Sequence, residues 1–109
     1  MNATNDDLDV GHDLEIRKID RQPAGGSGIW VTGRLAGHRF EALVFPESAA
    51  NPDWEIGQSR ISKLRVQRLA DRSTVFNWDR GADLPANDAV AQAIVDFLAG
   101  GLADFVYNL

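Results

Sequence analysis

The sequence predicts an α+β domain: an antiparallel four-stranded meander packed by one C-terminal helix, with room for an extra N-terminal edge strand over Asp13–Asp20. Three observations lead there. Segments with a two-residue apolar period follow one another across short turn-forming connections. A single segment near the end has a helical period. And 109 residues, 44% of them hydrophobic, suffice for one core but would starve a second.

Residues 1–12 lack periodicity and are rich in Asn and Asp, so they read as a mobile N-terminal tail ahead of a single domain over 13–109. In Asp13–Asp20 the apolar residues Leu14, Ile16 and Ile19 recur with an imperfect period of two, which suggests a short edge strand. Gln22–Gly28 is a loop by composition; its glycines are not followed by the lysine, hydroxyl residue and helix that a phosphate-binding loop needs. Ile29–Leu35 alternates cleanly, with Ile29, Val31 and Leu35 opposed to Trp30, Thr32 and Arg34. Ala36-Gly37 falls where a two-residue hairpin loop belongs, and His38–Phe45 returns, with Leu43 and Phe45 breaking its alternation. Pro46–Gly57 is a long loop pinned by Trp54 and Ile56. Arg60–Leu69 sets Leu64 and Val66 against Lys63, Arg65 and Gln67; a turn at Asp71 leads to a fourth strand at Thr74–Asp79. Arg80–Ala86 reads as a loop. Asn87 offers an N-cap, and Val90, Ala93, Ile94, Phe97 and Leu98 carry a helix from Asn87 to Ala99. Gly100-Gly101, at about 2 kcal/mol against a pair of alanines inside a helix, argues for a stop there.

Composition removes several classes of function. Cysteine is absent, which excludes disulfides, thiolate nucleophiles and sulfur-ligated zinc, and leaves no need for an oxidising compartment. The N-terminal stretch is acidic where a signal peptide would be basic and then apolar, and no apolar run is expected to approach the ~20 residues that span a bilayer. A cytoplasmic protein with no membrane partner is the default expectation. The formal charge of −5 is unevenly spread: residues 1–20 and 81–109 each carry −4, while residues 21–80 carry +3. A mildly basic sheet therefore lies between an acidic tail and an acidic helix.

Ser59–Leu64 (Ser-Arg-Ile-Ser-Lys-Leu) and Asn77–Asp83 (Asn-Trp-Asp-Arg-Gly-Ala-Asp) resemble a family of small uncharacterised domains met in bacterial, phage and plasmid genomes. The resemblance covers about Ile29 to Leu98 and implies a hairpin, two strands ending in these motifs, and then a helix. This chain departs from the pattern at Ala82, where the family has an aromatic residue. The resemblance implies no activity, only the architecture and an origin in a mobile element.

Candidate chemistry is sparse. Asp79-Arg80-Gly81-Ala82-Asp83, between the last strand and the helix, admits two readings: a turn stabilised by its own polar groups, or two carboxylates, Asp79 and Asp83, that hold a cation for an enzyme. The two histidines, His12 and His38, have no nucleophile at a recognisable spacing, and no serine sits in a nucleophile-elbow pattern, so an enzyme is not expected and neither is a cofactor. The sheet face opposite the helix is the better candidate. Trp30, Arg34, Arg39, Lys63 and Arg65 share it by parity, with Trp54 in the adjoining loop. Trp and Arg dominate protein-binding hot spots, and an aromatic among bases also suits single-stranded nucleic acid. The leading expectation is a non-catalytic protein-interaction module, in its most specific form a mobile-element protein that binds a host complex such as a defence system. The apolar tail Leu102, Phe105, Val106, Tyr107 and Leu109 is expected to pack on its own sheet or else to form a homodimer contact.

Overall fold

The computed structural model of the chain describes residues 10–11, 13–21, 28–47, 51, 53, 56 and 59–108. The expected tail lies largely outside them, as do His12, Trp54, Leu109 and most of the 46–57 loop. Within the described residues one antiparallel sheet runs in chain order through β1 (Glu15–Arg21), β2 (Ile29–Leu35), β3 (His38–Val44), β4 (Ile61–Arg68), β5 (Thr74–Asp79) and β6 (Ala82–Leu84). One helix, α1 (Ala89–Tyr107), lies against one face. The α+β meander is as expected. The strand count is higher: five strands of six to eight residues and a three-residue sixth. The N-terminal edge strand exists, and β6 occupies what the sequence presents as a loop.

The β2–β3 hairpin shows how the chain sets its register. Ala36 and Gly37 have φ of 50° and 74°, the two positive values that a type I′ turn requires, and this turn matches the twist of the strands it joins. Asp13 reaches across to accept the Ala36 N–H at 3.0 Å and so ties the start of the domain to the turn. Gly33, opposite Phe40, leaves space that a side chain would fill: a Cβ there would stand 2.6 Å from the Glu15 carbonyl oxygen and 2.8 Å from the Phe40 ring.

Irregular register explains the broken alternation in β1 and β5, whereas Leu43 keeps its register and is an apolar residue buried on the opposite face from Ala42 and Val44. β1 bulges between Ile16 and Lys18, so Ile16 and Ile19, of opposite parity, both turn inward. Between β3 and β4 the shift leaves Ser62 as the extra residue, and between β4 and β5 the extra residue is Val75, which is buried beside Phe76. The core lies between α1 and the inner side chains Ile29, Val31, Phe40, Ala42, Val44, Ile61, Leu64 and Val66. His38, the first residue of β3, is only 6% exposed. Its Nδ1 stands 2.7 Å from the Ala36 carbonyl oxygen, a distance at which the ring donates.

The helix departs from expectation in three ways. Its N-cap is Asp88, whose Oδ1 accepts the Ala91 N–H at 2.7 Å; Asn87 is tied instead to β5 by its own N–H to the Val75 carbonyl. It also runs unbroken through Gly100-Gly101. Leu98, Leu102, Ala103 and Val106 continue one buried stripe across the glycines, and burial of the Leu and Val side chains beyond them, at roughly 1.5–3 kcal/mol each, outweighs the glycine penalty of about 2 kcal/mol. As a result α1 is long and apolar enough to span a bilayer by length and composition, although seven of its 19 residues are buried in this domain's core. Finally, Phe97 does not press on the sheet. It lies to one side of the stripe defined by Ile94, Leu98 and Leu102 and is 40% exposed.

Candidate interaction face

The face of the sheet turned away from α1 is built by three cross-strand ranks. The register aligns Asp20, Trp30, Leu43, Lys63 and Asp79 in the first. Lys18, Thr32, Glu41, Arg65, Asn77 and Leu84 form the second. The third holds Glu15, Arg34, Arg39, Gln67 and Thr74. Residues paired in register point to the same side, so the five sheet residues singled out by parity, Trp30, Arg34, Arg39, Lys63 and Arg65, share one surface. Trp54 lies outside the described residues.

The charges on this surface are mostly neutralised in place. Arg39 pairs with Glu41 at 3.2 Å along β3, Lys18 with Asp20 at 3.8 Å along β1, and Lys63 with Asp79 at 3.7 Å across β4 and β5. Pairs this exposed contribute little to stability, about 0–1 kcal/mol each. Their effect is to leave Arg34 and Arg65 as the bases on this face without a hydrogen bond or ion pair to any described residue. Trp30 stands 37% exposed, with Leu43 directly opposite it on β3. A shallow depression of about 160 Å³ opens between Trp30, Glu41, Lys63, Arg65, Asn77 and Asp79.

The Asp79-Arg80-Gly81 junction is the tight turn between β5 and β6. Arg80 and Gly81 take φ of 58° and 149°, the Asp79 N–H donates to the Gly81 carbonyl, and the Arg80 N–H donates to Ser62 across the β4 bulge. The Asp79 carboxylate is engaged by Lys63. Asp83 falls within β6, and its side chain lies outside what is described. No three His, Cys, Asp or Glu side chains among the described residues group so as to hold a metal ion.

Of the C-terminal tail, expected to pack on its own sheet or else to form a homodimer contact, the greater part of what is described packs on the sheet. Leu102 and Val106 are buried in the core, and the Tyr107 hydroxyl donates to the Val44 carbonyl oxygen at 2.8 Å, so these three face the chain's own sheet. Phe105 stays 48% exposed, while Leu109 lies outside the described residues. With Phe97, Leu14 and the bare backbone of Gly100-Gly101, Phe105 lines an apolar groove of about 460 Å³. Helical spacing alone does not reveal this groove, because it groups Phe97 with Ile94 and Leu98, which are buried, while Phe97 is 40% exposed.

A third polar cluster surrounds the helix start. Arg68 bridges Asp71 at 3.1 Å and Asp88 at 3.3 Å. The Ala91 N–H, and then the Arg68 charge, hold the Asp88 carboxyl below its ordinary range. Hydrogen bonds from the Ser73 hydroxyl and N–H do the same for Asp71. This cluster links the β4–β5 turn to α1 and reads as structural.

Fold and face together define a small α+β sheet domain with one face closed by a helix and the other open and studded with mixed charge. Residues 29–103 match the family described as Domain of unknown function (DUF7678), and the chain belongs to it. A search of curated proteins found no match, and a search of solved structures found none either.

Proposed function

We propose that this domain is a non-catalytic protein-interaction module whose binding surface is the open sheet face around Trp30. The observation that carries the reading is the exposure of Trp30, beside Leu43, on a sheet face it shares with Arg34 and Arg65, two arginines without a hydrogen bond or ion pair to any described residue. A large aromatic flanked by free guanidinium groups is the composition of a binding hot spot. A strand scaffold also holds such groups with little ordering left to lose on binding.

The distribution of charge favours a protein over a nucleic acid. Asp20 and Asp79 stand in the rank of Trp30, Glu41 in that of Arg65 and Glu15 in that of Arg34, so a polyphosphate laid along the bases would meet a carboxylate at each rank. A protein surface, with its own alternating charges, can match that pattern.

The test is affinity capture from the source cells with wild-type and altered domains. Trp30→Ala and Arg65→Gln are expected to lose a retained protein that Phe105→Ser keeps. The reverse pattern would move the binding surface to the helix groove and overturn the reading. Retention of a labelled single-stranded oligonucleotide at low salt, released as salt rises and lost with Arg34 and Arg65, would assign the face to nucleic acid instead.

A further inference from the structure

Arg34 and Arg65 bear on what the partner must offer, and the inference drawn from them rests on the proposal that this face binds a protein. They lie two strands apart, on β2 and β4, and two residues apart along the strand direction, because the register sets Arg65 level with Thr32. With strands ~4.8 Å apart and a rise of ~3.4 Å per residue, their backbones are roughly 12 Å apart. Between them sits the closed Arg39–Glu41 pair, which offers no net charge. Trp30 is four residues before Arg34 on the same strand and, like it, two strands from Arg65. The three exposed groups thus mark the corners of a triangle with sides of roughly 12–14 Å.

We infer that the partner is an acidic protein surface presenting two carboxylates roughly 12 Å apart, one for Arg34 and one for Arg65, and beside them an apolar side chain that packs on Trp30 and Leu43. The domain has sixteen acidic residues against eleven basic ones, and its own carboxylates already take Arg39, Lys63 and Lys18. Two exposed guanidinium groups without a hydrogen bond or ion pair to any described residue, on a chain so rich in acids, are donors each able to take a carboxylate in a bidentate pair. Paired donors at a fixed spacing select by geometry as well as by sign, since a single acid, or two acids closer together, can engage one corner only. The same open charges would speed encounter with an acidic partner, an effect that salt screens.

Zero-length cross-linking tests this directly, because a carbodiimide joins a lysine amine to a carboxylate only where the two are in contact. The reagent is applied to the complex formed between the intact domain and the protein it retains from source-cell lysate, using Arg34→Lys and Arg65→Lys variants beside Arg34→Gln and Arg65→Gln. Each lysine variant is expected to form an amide with an Asp or Glu of the partner. Each glutamine variant should weaken binding about tenfold, and the double glutamine variant should bind no more tightly at low salt than at high salt. Both positions are exposed, so folding should be untouched, as circular dichroism will verify. A partner that still depends on Trp30 but forms no amide at 34 or 65, and survives the double glutamine change, would overturn the acidic-partner inference while leaving the sheet-face reading intact. A retained protein indifferent to Trp30 as well would overturn both.

Discussion

Replacing Gly100 and Gly101 together by alanine should stabilise this domain by about 2 kcal/mol, since each glycine in a helix interior costs about 1 kcal/mol against alanine. Both glycines are exposed within α1, neither has a positive φ, and a Cβ added at either meets no atom within 4 Å. The gain is therefore free of overpacking and comes from the restricted backbone of the unfolded chain and the better helix former in the folded one. With unfolding entropy near 2.1 cal/mol/K per residue, a chain of 109 residues has about 0.23 kcal/mol/K at its midpoint, so the melting temperature should rise by about 9 °C. Thermal unfolding followed by circular dichroism at 222 nm provides the assay, with urea unfolding as a check that the midpoint moves while the slope stays constant. An unchanged or lowered melting temperature would mean that the helix stops before Gly100, and the burial of Leu102 and Val106 would then need another explanation.

Three further outcomes follow from local geometry. Ala36→Asn should raise stability by up to about 1 kcal/mol, because Ala36 sits at φ 50° in a type I′ turn where asparagine is at ease; a loss would show that the Asp13 bond to its N–H depends on alanine. Gly33→Ala should destabilise by at least about 1–3 kcal/mol in urea unfolding, as its Cβ meets the Glu15 carbonyl and the Phe40 ring; a neutral result would mean β1 is not seated as described. Asp88→Ala should cost about 1 kcal/mol. Because hydrogen bonds hold the folded carboxyls of Asp88 and Asp71 below their unfolded value near 3.9, their contribution is complete above about pH 4 and disappears as pH falls through the folded values. Asp88→Asn, which keeps a cap but cannot titrate, should flatten the acid limb of a urea-midpoint profile taken from about pH 7 to pH 2, and an unaltered limb would refute that linkage.

The long strands and the identity of the open face could be read from the chain because strict alternation in Ile29–Leu35 and around Leu64 and Val66 leaves one parity for the core. That parity alone collects Trp30, Arg34, Arg39, Lys63 and Arg65 on one surface. Illegible were the features in which a tertiary contact overrides local preference. The bulges at Arg17, Ser62 and Val75 shift parity by one residue at places where composition carries no mark. Gly100-Gly101 carries a clear stop signal that the buried stripe beyond it defeats, and Asn87 loses the cap to Asp88 because its backbone is held by Val75. β6 has only three residues, and Leu84 is the last of them. That Arg34 and Arg65 pair with no described residue depends on Glu41 and Asp79 being engaged by Arg39 and Lys63, a matter of register and side-chain reach that periodicity does not specify.

The most direct test of the central claim is photo-cross-linking from position 30 inside the source cells. A photoreactive phenylalanine analogue replaces Trp30 in one sample and Phe97 in another, and covalent products are resolved by mass spectrometry. The account predicts one protein joined through position 30 and absent from position 97, its yield lowered when Arg34 and Arg65 are changed to glutamine. Products from position 97 with none from position 30 would contradict it.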